Sequence, residues 1–202
     1  GVEDIVMCPG KEDMFNFLED IVREVVPLFP GKYFHIGGDE CPKTSWKNCP
    51  TCQKRIEAEG LQADGKHSAE ERLQSYVIKR MEKMLAKYDR KIIGWDEILE
   101  GGLSPDATVM SWRGTSGGIS AALQKHDVIM TPGSGGLYLD HYQGDYKIEP
   151  VTIASSPAYL SKTYNYEPVP DTIKSLGLEK HILGVQCNNW SEYMYTNAKM
   201  EY

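Results

Sequence analysis

Two adjacent carboxylates, Asp39 and Glu40, close the run His35-Ile36-Gly37-Gly38-Asp39-Glu40. Tyr33-Phe34-His35-Ile36 has the length and apolar character of a buried strand, bounded by Pro30-Gly31 and Gly37-Gly38. Without side chains at the glycines, the chain can leave strand alternation and turn both acids toward one cavity. Carboxylates held close resist ionising together, so one keeps its proton and acts as an acid while its neighbour stays anionic. The competing reading is a pair of solvated loop acids; the preceding strand and double glycine favour chemistry. Asp96-Glu97 is a rival pair at another strand end, but it lacks the double glycine and reads as structural or supporting.

Trp95, Trp112 and Trp190 each lie at or soon after an expected strand end. Indoles there could wall a pocket for a sugar, whose C–H faces pack on aromatic rings while its hydroxyls seek carboxylates and amides. Any one of them could equally be a core tryptophan; three at the same end of successive strands favour the pocket. Tyr138-Leu139-Asp140 adds a phenol and a carboxylate on one side of an extended segment, and Trp190-Ser191-Glu192 repeats the spacing.

Strands and helices alternate to position these groups. Apolar Met14, Leu18, Ile21 and Val25, flanked by Phe17 and Val22, predict a helix from Glu12 to Val26, stopped by Pro27. Ser68 and Glu71 form a capping box for a second helix to about Tyr88, with Leu73, Val77, Met81, Met84 and Tyr88 on one face. Further strands are expected at 91–95, 108–111, 127–130 and 184–187, with a helix near 116–125. Apolar strands between helices imply a parallel sheet, doubly wound or closed as a (β/α)8 TIM barrel. Functional-looking residues after several strand ends favour the barrel. Five strands are too few for it, and 202 residues fall below the typical ~250. The segment 97–107 is too short for a crossover helix, and 41–67 and 132–180 read as long connections.

One domain spanning 1–202 accommodates an α/β composition with 41% hydrophobic and 25% charged residues. The net charge of -7 gives no electrostatic reason to bind nucleic acid or an anionic membrane. No apolar run approaches the ~20 residues of a membrane span, and the N-terminus lacks a signal-peptide layout. Five cysteines cannot form a complete disulfide set. Cys49-Pro50-Thr51-Cys52 has zinc-loop spacing, with Cys41 nearby and His67 as a possible fourth ligand. A second paired motif is absent, so buried thiols or one disulfide are expected, and no metal or cofactor is assigned.

Taken together, five motifs resemble the β-N-acetylhexosaminidases of glycoside hydrolase family 20. They are the run 35–40, Gly94-Trp95-Asp96-Glu97-Ile98, Ser111-Trp112-Arg113-Gly114, Tyr138-Leu139-Asp140, and Gly184-Val185-Gln186 with Trp190-Ser191-Glu192. They occur in the family's order across nearly the whole chain, and the cysteine-containing segment is similar to that of bacterial members. The resemblance implies removal of terminal non-reducing β-linked N-acetylglucosamine or N-acetylgalactosamine by a retaining, substrate-assisted mechanism. It makes Glu40 the general acid and base and Asp39 the group that orients the sugar's 2-acetamido N–H. It places Tyr138 on the acetamide oxygen, Trp95, Trp112 and Trp190 around the sugar, and Asp140 and Glu192 on hydroxyls.

The resemblance also implies an incomplete barrel, about strands four to eight, at the C-terminal part of the catalytic domain. The family's arginine for sugar hydroxyls and its acid-supporting histidine would lie upstream. Such a fragment is expected to be inactive alone and prone to self-association through exposed barrel edges. A periplasmic or extracellular parent protein is implied by the resemblance alone. The alternative function is a catalytically inactive carbohydrate-binding protein using the same pocket. A zinc-stabilised interaction module centred on Cys41, Cys49, Cys52 and His67 ranks behind both.

Overall fold

The first expected helix forms as α1 (Glu12–Val25) in a computed structural model that describes residues 5–153 and 157–201. Glu12 and Asp13 favour its positive end, and a 3-10 turn over Val26–Leu28 carries Pro27. Its buried stripe is rotated from the expected one. Phe15 is buried with Met14 and Val22, while Phe17 and Ile21 are exposed. The Arg80 guanidinium lies 3.9 Å from the Phe15 ring and binds Glu12, which fixes the helix about its axis. Periodicity specifies an apolar arc, and this cation chooses which edge of it faces inward.

The chain divides into two units, Gly1–Thr108 and Val109–Tyr202. In the first, β1 (Tyr33–His35) runs parallel to β2 (Lys91–Trp95), with Tyr33 opposite Lys91 and His35 opposite Ile93. Ile36 falls outside the strand, although its N–H still donates to Ile93 O at 2.9 Å. The connection 41–67 is more ordered than expected and carries α2 (Thr44–Asn48) and α3 (Pro50–Ala58). Pro50 occupies the first turn of α3, where its missing N–H is harmless, and Trp46, Cys52 and Ile56 are buried. Next comes α4 (Ala69–Ala86), with the expected capping box complete: Ser68 Oγ accepts from Glu71 N at 3.2 Å, and Glu71 Oε2 accepts from Ser68 N at 2.6 Å. After β2 the segment turns through one 3-10 turn, Asp96–Leu99, and no crossover helix intervenes.

In the second unit, β3 (Thr108–Ser111), whose first residue belongs to the first unit, leads to α5 (Ser116–Leu123) and β4 (Val128–Met130). β3 and β4 pair in parallel, Val109 opposite Val128 and Ser111 opposite Met130. The connection 132–180 holds α6 (Leu160–Tyr164) and α7 (Asp171–Ser175), which buries Ile173. The last strand, β5 (Ile182–Val185), begins two residues earlier than expected and pairs in parallel with β4. Its register shifts next to Gly184, whose φ of 148° a side chain would resist. A short α8 (Asn197–Glu201) follows. No helix of the described residues is long and apolar enough to cross a membrane.

Candidate active site

In the first unit, the backbone after β1 twists through three left-handed positions: Gly37 (φ 72°), Gly38 (φ 96°) and Glu40 (φ 44°). For glutamate this conformation costs on the order of 1–3 kcal/mol and persists only where its surroundings impose it. Gly37 N–H donates to His35 Nδ1 at 3.0 Å, and Gly37 O accepts from Trp95 N–H at 2.9 Å. A Cβ on Gly38 would come within 2.7 Å of Ile98 Cγ2, and one on Gly94 within 2.6 Å of the same methyl. The two glycines therefore let the loop lie directly on buried Ile98. The result is Asp39 and Glu40 side by side and exposed beyond the strand end.

The rings of His35 and Trp95 approach to 4.7 Å between centroids. Although solvent reaches His35, enough protein surrounds it for burial to hold its pKa below the ordinary 6.5; the Asp39 carboxylate works the other way. A neutral ring suits a Nδ1 that accepts from Gly37. On the far side of Glu40, Lys43 Nζ donates to Cys41 O at 2.9 Å and to Glu100 Oε2 at 2.8 Å, and also binds Gln74 Oε1. Gln74 Nε2 in turn donates to Glu97 O at 2.9 Å. Asp96 and Glu97 are buried, in keeping with a structural role for that pair. Lys43, Gln74 and Glu100 carried no motif, because their roles arise only from contacts between distant segments.

In the second unit, Tyr138 and Trp190 meet edge to face at 6.4 Å between centroids, and Tyr138 meets His141 at 5.3 Å. Buried Asn188 fastens this wall. Its backbone N donates to Leu137 O at 2.8 Å, and its O accepts from Leu139 N at 2.7 Å. Its side chain donates to Thr131 Oγ1 and accepts from Gln186 Nε2, both at 2.9 Å. A cleft of about 320 Å³ is lined by Asp140, His141, Asn189, Trp190 and Tyr193 among others. Asp140 is buried, its Oδ1 accepts no hydrogen bond, and its Oδ2 lies 4.0 Å from His141 Nε2. A buried carboxylate oxygen without a donor is costly, and a hydroxyl entering the cleft would satisfy it. Trp112 is half-buried just past β3 and Glu192 is exposed; neither lines this cleft.

The cysteine reading needs revision. His67 Nδ1 accepts from Gly101 N–H at 3.2 Å, and Cys41 stands outside the close thiol group, which consists of Cys8, Cys49 and Cys52. All five cysteines are free thiols.

A family profile described as "Glycosyl hydrolase family 20, catalytic domain" matches residues 1–202. The chain belongs to this family. It is 57% identical to a beta-hexosaminidase of Porphyromonas gingivalis over 100% of this chain and 25% of that protein. To a beta-hexosaminidase of Vibrio furnissii it is 34% identical, over 98% of this chain and 32% of the other. The family 20 exo beta-N-acetylglucosaminidase of Vibrio harveyi, solved with N-acetylglucosamine, superposes with a TM-score of 0.83 at 30% identity, covering 99% of this chain and 30% of that enzyme. The chain thus spans about a quarter to a third of these relatives. Its α/β fold is that of family 20 TIM-barrel enzymes, of which it covers a part.

Proposed function

We propose that this chain carries the proton-donating and acetamide-binding part of a retaining β-N-acetylhexosaminidase. The whole enzyme removes terminal β-linked N-acetylglucosamine or N-acetylgalactosamine, and residues 1–202 alone do not turn over. The observation that carries this reading is the loop from Gly37 to Glu40, where a strained glutamate is held beside an aspartate at a strand end. Strain of this kind has no packing benefit at an exposed residue and is characteristic of functional sites.

In this mechanism Glu40 protonates the glycosidic oxygen, while the sugar's own acetamide oxygen attacks the anomeric carbon to give an oxazolinium ion. Asp39 orients the acetamide N–H and balances the positive charge that grows there. Glu40 then takes a proton from water, which opens the oxazolinium with retention. Tyr138 donates to the acetamide oxygen, Trp95, Trp112 and Trp190 enclose the sugar, and Asp140 and Glu192 accept from its hydroxyls. The donor-less Oδ1 of Asp140 supports that last assignment for Asp140.

The test uses the full-length protein and two substrates. With chitobiose, whose leaving alkoxide must be protonated, Glu40→Gln should lower kcat roughly 10²–10⁴-fold. With an aryl glycoside, whose phenolate leaves unaided, the loss should be smaller. Equal losses on both would remove Glu40 as the acid. Sugar binding without turnover by the unsubstituted protein would leave a carbohydrate-binding module instead.

A further inference from the structure

Three thiols that the glycosidase reading leaves unused converge from separate turns of the first unit. Cys8 Sγ lies 3.4 Å from Cys52 Sγ and 3.7 Å from Cys49 Sγ, and all three sulfurs fall within 4.8 Å of one another. Cys49 precedes α3 and Cys52 sits in its first turn, while Cys8 opens the turn before α1, closed by Lys11 N–H to Cys8 O at 3.1 Å. The two turns interlock. A Cβ on Gly10 would strike the Thr51 carbonyl and come within 2.7 Å of Cys52 N, so only glycine lets the Cys8 turn lie against the paired-cysteine turn.

We propose that Cys8, Cys49 and Cys52 form a structural metal site of the zinc class. Sulfurs bound tetrahedrally at ~2.3 Å from one zinc ion lie about 3.8 Å apart. A disulfide would need about 2.05 Å. The two separations from Cys8, 3.4 and 3.7 Å, are near the tetrahedral edge and far from a disulfide, and three sulfurs within 4.8 Å of one another exceed what a disulfide can use. Cys41 packs on the same apolar cluster as Trp46, Cys52, Ile56 and Leu73 but outside the close thiol group, so three sulfurs define the site and its fourth position is open to a small exogenous ligand. The ion would staple the turn before α1 to the start of α3.

The site stands or falls separately from the glycosidase reading, since its test reads metal and not turnover. The reduced full chain is stripped with chelator, then titrated with zinc or cobalt(II). The expected result is about one metal per chain, with cobalt giving sulfur-to-metal charge-transfer bands and the strong visible absorption of tetrahedral thiolate coordination. Cys8→Ser and Cys49→Ser should each weaken cobalt binding at least tenfold. The unsubstituted chain's cobalt spectrum decides the matter even where a serine variant fails to fold. Metal content well below one per chain with every thiol reduced, or octahedral cobalt with no sulfur band, would overturn the proposal.

Discussion

Glu40 is the residue at which stability and chemistry are set against each other. Its left-handed backbone (φ 44°) would suit glycine better, so Glu40→Gly should raise stability by about 1 kcal/mol in urea unfolding while removing the proposed proton donor. Unchanged or lower stability would mean that the conformation is not strained. His35 sets the pH response of the same loop. Its folded-state pKa lies below the ordinary 6.5, so between the two values the unfolded chain binds the proton more readily. The stability supplied by the neutral ring is therefore complete above pH 6.5 and declines as pH falls through the folded-state value. Protonation also removes the Nδ1 acceptor that holds Gly37 N–H. The Asp39 carboxylate raises this pKa, so Asp39→Asn should move the His35 midpoint lower still, read from imidazole proton shifts across a pH titration. A midpoint that rises in the variant would reverse the assignment.

Among the elements, β2 and the turn after it do most to shape the loop that bears the acids. Gly94→Ala would drive a methyl to within 2.6 Å of Ile98 Cγ2 and 3.1 Å of Gly37 O. An overpacked strand should cost about 1–3 kcal/mol and disturb the Gly37 O to Trp95 N–H bond, lowering both the thermal midpoint and kcat of the full-length protein. The capping box at Ser68 is a more local device, and Ser68→Ala should cost about 1 kcal/mol with kcat unchanged. Both devices differ in how visible they are in the sequence. The capping box could be read from two residues three apart, and the short strands from apolar runs between turn residues. The start of β5 was misplaced because Gly184 reads as a boundary, whereas the strand absorbs it by shifting register. α2 and α3 were missed because Cys49 and Pro50 resemble loop chemistry, yet serve as the entry to a helix. Asp39 and Glu40 in the first unit, and Tyr138, Asp140 and Trp190 in the second, are singled out by type and spacing. Asn188, Lys43 and Cys8 are not, since each works through partners tens of residues away: Thr131 for Asn188, Gln74 and Glu100 for Lys43, Cys49 and Cys52 for Cys8.

At the scale of the whole molecule, apolar side chains remain in water that a complete barrel would have reason to cover. Leu183 and Val185 on β5 are 46% and 48% exposed, and among the described residues β5 pairs with β4 alone. An open strand edge with exposed apolar residues invites pairing with another chain. The 202-residue chain should sediment as concentration-dependent oligomers, and Val185→Lys should shift it toward monomer; sedimentation unchanged by that charge would exclude β5 as the contact. Asn188 bears on any attempt to rebuild the proposed sugar-binding wall. It ties the segments bearing Tyr138 and Trp190 into one clasp, so residues 137–140 and 186–190 form a cassette that must be transplanted whole. Swapping either stretch by itself would leave its companion gripping a mismatched neighbour, and the two halves of such a graft should show strongly non-additive effects on KM.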